Sequence, residues 1–126
     1  MRAAAAVSLA RVLLAAFAGV IALALAGCGG ASKSGDAAPL SVDITIAHGQ
    51  VTPSNATLQA TVHQPITLHV TSDAADELHV HSVPDHKFEV AATANQTFQF
   101  SVDVPGSVDV ELHHLDKTVA TIHVHP

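Results

Sequence analysis

Residues 104–113 read Val104-Pro105-Gly106-Ser107-Val108-Asp109-Val110-Glu111-Leu112-His113. Pro-Gly marks a turn, because proline fixes φ and glycine opens backbone conformations that other residues avoid. From Ser107 on, polar and apolar residues alternate one for one. Successive side chains of an extended chain point to opposite sides, so this is the period of a strand with one buried face. A helix would repeat its apolar residues every three or four positions instead.

The same reading extends in both directions. Val42, Ile44 and Ile46 form a first stripe, with Ser41, Asp43 and Thr45 between them. Leu58 and Val62 mark a second strand, and Ile66, Leu68 and Val70 a third after the His63-Gln64-Pro65 turn. Leu78 and Val80 belong to a fourth, and Phe88 and Val90 to a fifth that ends before Ala94-Asn95. Phe98, Phe100 and Val102 make a sixth, Val108, Val110 and Leu112 the seventh, and Val119, Ile122 and Val124 an eighth. Seven or eight short strands punctuated by Pro, Gly, Asn and Asp turns predict an all-β, Greek-key β-sandwich over residues 40–126. Ile44, Leu68, Val80, Phe98, Val110 and Ile122 are expected to face inward.

The chain before residue 40 is of another kind. Arg2 and Arg11 precede fourteen uncharged apolar or small residues, Val12 to Leu25. That run is shorter than the ~20 residues a bilayer-spanning helix needs, and a basic start with a short apolar run is the form of a secretory signal helix. Leu25-Ala26-Gly27-Cys28 closes it and resembles the lipobox of bacterial lipoproteins. The resemblance implies cleavage before Cys28, a diacylglycerol thioether on its sulfur and an acyl chain on its new amino group. Several chains at ~0.8 kcal/mol per buried CH₂ make a lasting anchor. Residues 1–27 are thus expected to be a lipoprotein signal peptide and 28–39 a flexible tether without large apolar residues, up to ~35 Å long when extended. The expected location is the extracytoplasmic face of the cell membrane.

Charge and composition narrow the partners. From Cys28 on, 11 acidic residues stand against Lys33, Lys87 and Lys117, a formal charge of −8. Such a surface, without Arg, Trp or Tyr, argues against nucleic acid, which needs cations and stacking platforms. It offers no polybasic membrane patch either, which leaves the membrane contact to the lipid anchor. With Cys28 acylated and no second cysteine, no internal disulfide forms, so the domain depends on its apolar core.

All 10 histidines lie after Cys28. His79 and His81 flank Val80 on a predicted strand, and residues i and i+2 share a face with Cα atoms ~6.5–7 Å apart. His113 shares the face of Asp109 and Glu111. If the fourth and seventh strands are neighbours, His79, His81 and His113 converge at one end of the sandwich, with Glu111 placed to orient a ring. His114 or His86 would complete the set. His48, His63, His69, His123 and His125 read as turn or solvent-face residues, and Asp73 and Asp76 as turn-formers.

The stretch Asp73-Ala74-Ala75-Asp76-Glu77-Leu78-His79-Val80-His81, a Phe-rich strand, Val104-Pro105-Gly106 and Val108–His113 together resemble a cupredoxin-like domain of bacterial envelope lipoproteins. Ser82 stands where such domains usually have glycine. Blue-copper members hold their metal through two His, a Cys and usually a Met, and the resemblance places His79 at the first His and Leu112 at the Cys. No Met exists apart from Met1. A type 1 centre needs a thiolate, so no type 1 copper is expected. An imidazole site suits Cu(II) or Zn(II), with Cu(II) favoured by intrinsic affinity. No general base and no substrate pocket is legible, and the chain does not read as an enzyme. The expected function is metal handling by a membrane-anchored lipoprotein. Two alternatives stand beside it: a metal-free interaction module for an unidentified envelope protein, and a histidine-rich, pH-responsive surface.

Overall fold

The computed structural model describes residues 37–126. The expected signal peptide, Cys28 and the expected tether as far as residue 36 lie outside the described residues. Among the described residues there are nine strands and no helix: β1 (Leu40–Ala47), β2 (Gln50–Thr52), β3 (Ala56–Thr61), β4 (Ile66–Ser72), β5 (Asp76–Val80), β6 (His86–Val90), β7 (Gln96–Phe100), β8 (Gly106–Leu112) and β9 (Lys117–His125). They form two sheets, ordered β2-β1-β4-β7 and β3-β9-β8-β5-β6. The β1–β4 and β3–β9 pairs are parallel, and the remaining pairs are antiparallel.

The alternating pattern accounts for the core. Val42, Ile44 and Ile46 of β1 and Ile66, Leu68 and Val70 of β4 face Leu78, Val80, Val108, Val110, Leu112, Ile122 and Val124 of the other sheet, all buried. Five of the six residues expected to face inward are almost fully buried. Phe98 is half-buried, packed against the core with its ring 5.1 Å from that of Phe88. The polar residues between them face water on both outer surfaces, as two sheets stacked on one core require.

Three departures from the sequence reading have local causes. β2 is an extra strand, only three residues long, with a single inward side chain, Val51. It follows a two-residue hairpin in which His48 and Gly49 both have positive φ, the geometry that joins tightly paired antiparallel strands. Val62 falls just beyond β3, although its N–H still bonds the His125 carbonyl at 2.8 Å. In β9, Val110 pairs with Ala120 but Glu111 pairs with Thr118, so Val119 is the additional residue of a bulge. The bulge shifts the side-chain parity, which is why Val119 and Ile122, three positions apart, are both buried.

Candidate metal centre

β5 lies between β6 and β8, and its pairing places the site. His79 stands opposite Lys87 on one side and Glu111 on the other, and Glu77 stands opposite Glu89. The next residues extend the ladder, because the His81 N–H bonds the Asp109 carbonyl and the His113 N–H bonds the Glu77 carbonyl. Leu78, Val80, Val110 and Leu112 point into the core, so the intervening Glu77, His79, His81, Glu111 and His113 project together from the outer surface of the five-stranded sheet. The histidines therefore gather on an outer sheet face. The expectation of an end-of-sandwich site gives way because the strand period sends all three away from the core.

One ligating nitrogen from each of His79, His81 and His113 lies within 4.8 Å of the other two. His79 is the centre of the group. Its ring centroid is 3.9 Å from that of His81 and 5.0 Å from that of His113, and its side chain is only 12% exposed. Its Nδ1 lies 3.1 Å from His113 Nε2.

Each ring also meets a carboxylate. His79 Nε2 donates to Asp85 Oδ1 at 2.7 Å, and His81 Nε2 donates to Glu111 Oε2 at 2.8 Å. His113 Nδ1 lies 2.8 Å from Glu77 Oε1, which also receives Lys87 Nζ at 3.4 Å. A carboxylate only accepts, so His79 Nε2 and His81 Nε2 each carry a proton in these two hydrogen bonds. Such carboxylate–histidine pairs fix tautomer and ring orientation in metal sites. The hydrogen bond from His79 holds the Asp85 carboxyl below its ordinary range; desolvation opposes this, and the charges of His79, Lys87 and His81 reinforce it.

The structure leaves two expected ligands out of the group. The His114 ring is turned to the Ala75 carbonyl, 3.3 Å from its Nδ1, because Asp76 captures the backbone on either side. Asp76 is itself a correction to the turn-former reading. It is a buried residue of β5 whose carboxylate accepts the N–H groups of Glu77 at 2.7 Å, His114 at 2.8 Å and Leu115 at 3.1 Å. His86 pairs with the buried Val80 and so shares the inner side of the sheet. Its ring stacks on Phe88, and its Nε2 lies 3.2 Å from the Ser101 carbonyl oxygen.

Glu111 is legible in the sequence as an orienting group, whereas Asp85 and Glu77 are not among the expected residues. Glu77 carries the i, i+2 signal with His79 that would have found it. Asp85 sits in the loop after β5, and its reach depends on the course of that loop.

A type 1 copper centre does not fit this chain. Leu112, which the resemblance sets at the thiolate position, is a buried core residue on the opposite side of the sheet from the histidines. Three converging imidazoles do fit a nitrogen-ligated divalent ion.

No family model matches the sequence, and no curated protein matches it. Solved structures do resemble the fold. The blue copper oxidase from Nitrosomonas europaea matches with a TM-score of 0.56 at 10% identity, over 71% of this chain and 39% of that one. Fet3p, a multicopper oxidase that functions in iron import, matches with a TM-score of 0.55 at 10% identity, over 71% of this chain and 23% of that one. A mutant of amicyanin in its Cu(I) form matches with a TM-score of 0.48 at 13% identity, over 71% of this chain and 86% of that one. This chain spans well under half of either oxidase. At these identities the likeness shows the fold, a cupredoxin-like β-sandwich.

Proposed function

We propose that this protein is a membrane-tethered metal-binding module that takes a divalent ion, Cu(II) or Zn(II), on His79, His81 and His113. The observation that supports it most is the convergence of three ligating nitrogens within 4.8 Å, each ring held by its own carboxylate. Three His with a coordination position left to solvent make an exchangeable site, as opposed to a closed structural one. In this reading the chain's residues do the work of a holder. Imidazoles supply the lone pairs, and Asp85, Glu111 and Glu77 fix the rings and lower the cost of a positive charge among them. The bound ion would supply Lewis acidity, and redox chemistry if it is copper.

The lipobox string at Leu25–Cys28 supports an acylated Cys28 and a position on the extracytoplasmic face of the cell membrane. The tether then leaves the domain in contact with solvent close to that surface, positioned to take up or hand over a metal ion there.

Calorimetric titration of Cu(II) and Zn(II) into the wild type, the His79→Ala/His81→Ala pair and His69→Ala tests the site. We expect one equivalent bound by the wild type and by His69→Ala, and none at comparable affinity by the pair. Equal binding by all three proteins would end the proposal and leave a metal-free binding scaffold.

A further inference from the structure

The charges around the histidine trio specify more than a generic metal site. The groups in contact with the three rings are Asp85, Glu111 and Glu77, with Lys87 on Glu77 as the one cation among them. The rings themselves are neutral when their lone pairs are free, so these contacts leave a local excess of two negative charges. Glu89, opposite Glu77 in the β5–β6 register, adds to the same field from farther away. Glu77 is the least exposed of the three carboxylates and His79 the least exposed ring, so this part of the field is the least screened by solvent. A dication balances this excess. A monovalent ion leaves part of it uncompensated.

The donor atoms point the same way. Cu(I) is selected by soft thiolate and thioether ligands, and imidazole nitrogens do not provide that softness. Resting on the metal-binding reading above, we infer that this site discriminates between oxidation states: it holds Cu(II) or Zn(II) more tightly than Cu(I). Asp85, Glu111 and Glu77 are the residues that set the preference. His79 through Nδ1 and His113 through Nε2, 3.1 Å apart, would hold the ion. His81, with Nε2 given to Glu111, has Nδ1 to offer.

The test uses the full-length protein in detergent, with competing chelators specific for Cu(II) and for Cu(I) as probes. The ratio of the two dissociation constants gives the preference directly. The wild type is expected to hold Cu(II) more tightly than Cu(I). The Asp85→Asn/Glu77→Gln/Glu111→Gln variant is expected to move the ratio toward Cu(I) by at least tenfold, which is ~59 mV upward in the one-electron potential of bound copper. Lys87→Gln removes the opposing charge and is expected to move the ratio the other way. An unchanged ratio in both variants, or tighter Cu(I) binding by the wild type, overturns the inference while leaving the metal site standing. If neither Cu(II) nor Zn(II) binds the wild type, the metal reading falls and this inference falls with it.

Discussion

His79 Nδ1 and His113 Nε2 meet at 3.1 Å across the β5–β8 pairing, although 34 positions separate them in the chain. The opposite nitrogen of each ring is in contact with a carboxylate oxygen. At that distance the two nitrogens share a hydrogen bond, and a metal ion between them would take the place of its proton. The pair is therefore the geometric heart of the proposed centre.

The side of the sheet on which a residue sits decides what it can ligate. Leu112 points into the core and His113 away from it, one residue apart. With Cu(II) added, Leu112→Cys is expected to give no intense visible band, because its sulfur would be buried on the wrong side. His113→Cys places a thiolate beside His79 and His81 and is expected to give a strong sulfur-to-copper charge-transfer absorption. Visible spectra of the two variants, recorded side by side, check this.

Asp85 is expected to matter for the ion and little for the fold. Partners that orient a ligating imidazole typically account for ~10–100-fold in metal affinity. Asp85→Asn should lose affinity for Zn(II) by that factor, read by calorimetry, with an unaltered β-sheet circular dichroism spectrum.

The same carboxylate leaves a signature in acid. Its folded-state pKa is lowered, so its contribution to stability is present above the ordinary carboxylate value of ~3.9 and is lost as pH falls through the depressed value. Urea midpoints of metal-free wild type and Asp85→Asn should therefore converge at low pH and separate, with the wild type higher, near neutrality. The gap is small because the side chain is more than half exposed.

Core and site should separate cleanly under mutation. Leu78 is fully buried between Glu77 and His79 in sequence, and Leu78→Ala should cost ~2–5 kcal/mol in urea denaturation. His81→Ala, on the outer surface, should stay within ~0.5 kcal/mol. Asp76→Ala belongs with the core. It removes the acceptor of three backbone N–H groups and should cost at least ~1–3 kcal/mol.

The proposed anchor has its own check. Cys28→Ala should yield an unprocessed or unacylated product, seen by mass spectrometry and by its partition between membrane and soluble fractions. Membrane association at the acylated mass would refute the lipoprotein reading.

Most of the sandwich was legible because period-two alternation is a direct image of a one-sided strand. Where that image is too short or interrupted, it fails. β2 carries one inward side chain, and a period cannot be read from Val51 alone. The Val119 bulge breaks the alternation of β9, and only pairing with β8 reveals it. The trio was legible for the same reason as the fold, since i, i+2 spacing and strand adjacency are both consequences of the sheet. His86 could have been excluded on the same ground, because it keeps the parity of Phe88 and Val90. What sequence could not supply was the tertiary wiring: the Asp85 loop folding back onto His79, and the Asp76 carboxylate drawing the His114 and Leu115 backbone toward β5.

The five-stranded sheet keeps most of its apolar packing on one side and the His79, His81 and His113 imidazoles, with Glu77 and Glu111, on the other. Chemistry and architecture thus share a backbone but almost no side chains. A lineage built on this plan can swap nitrogen for sulfur donors, invert the surface charge or discard the ligands altogether, and still inherit a folded domain. The outer face of β5 and β8 is accordingly open to rewriting, while the inner face is not.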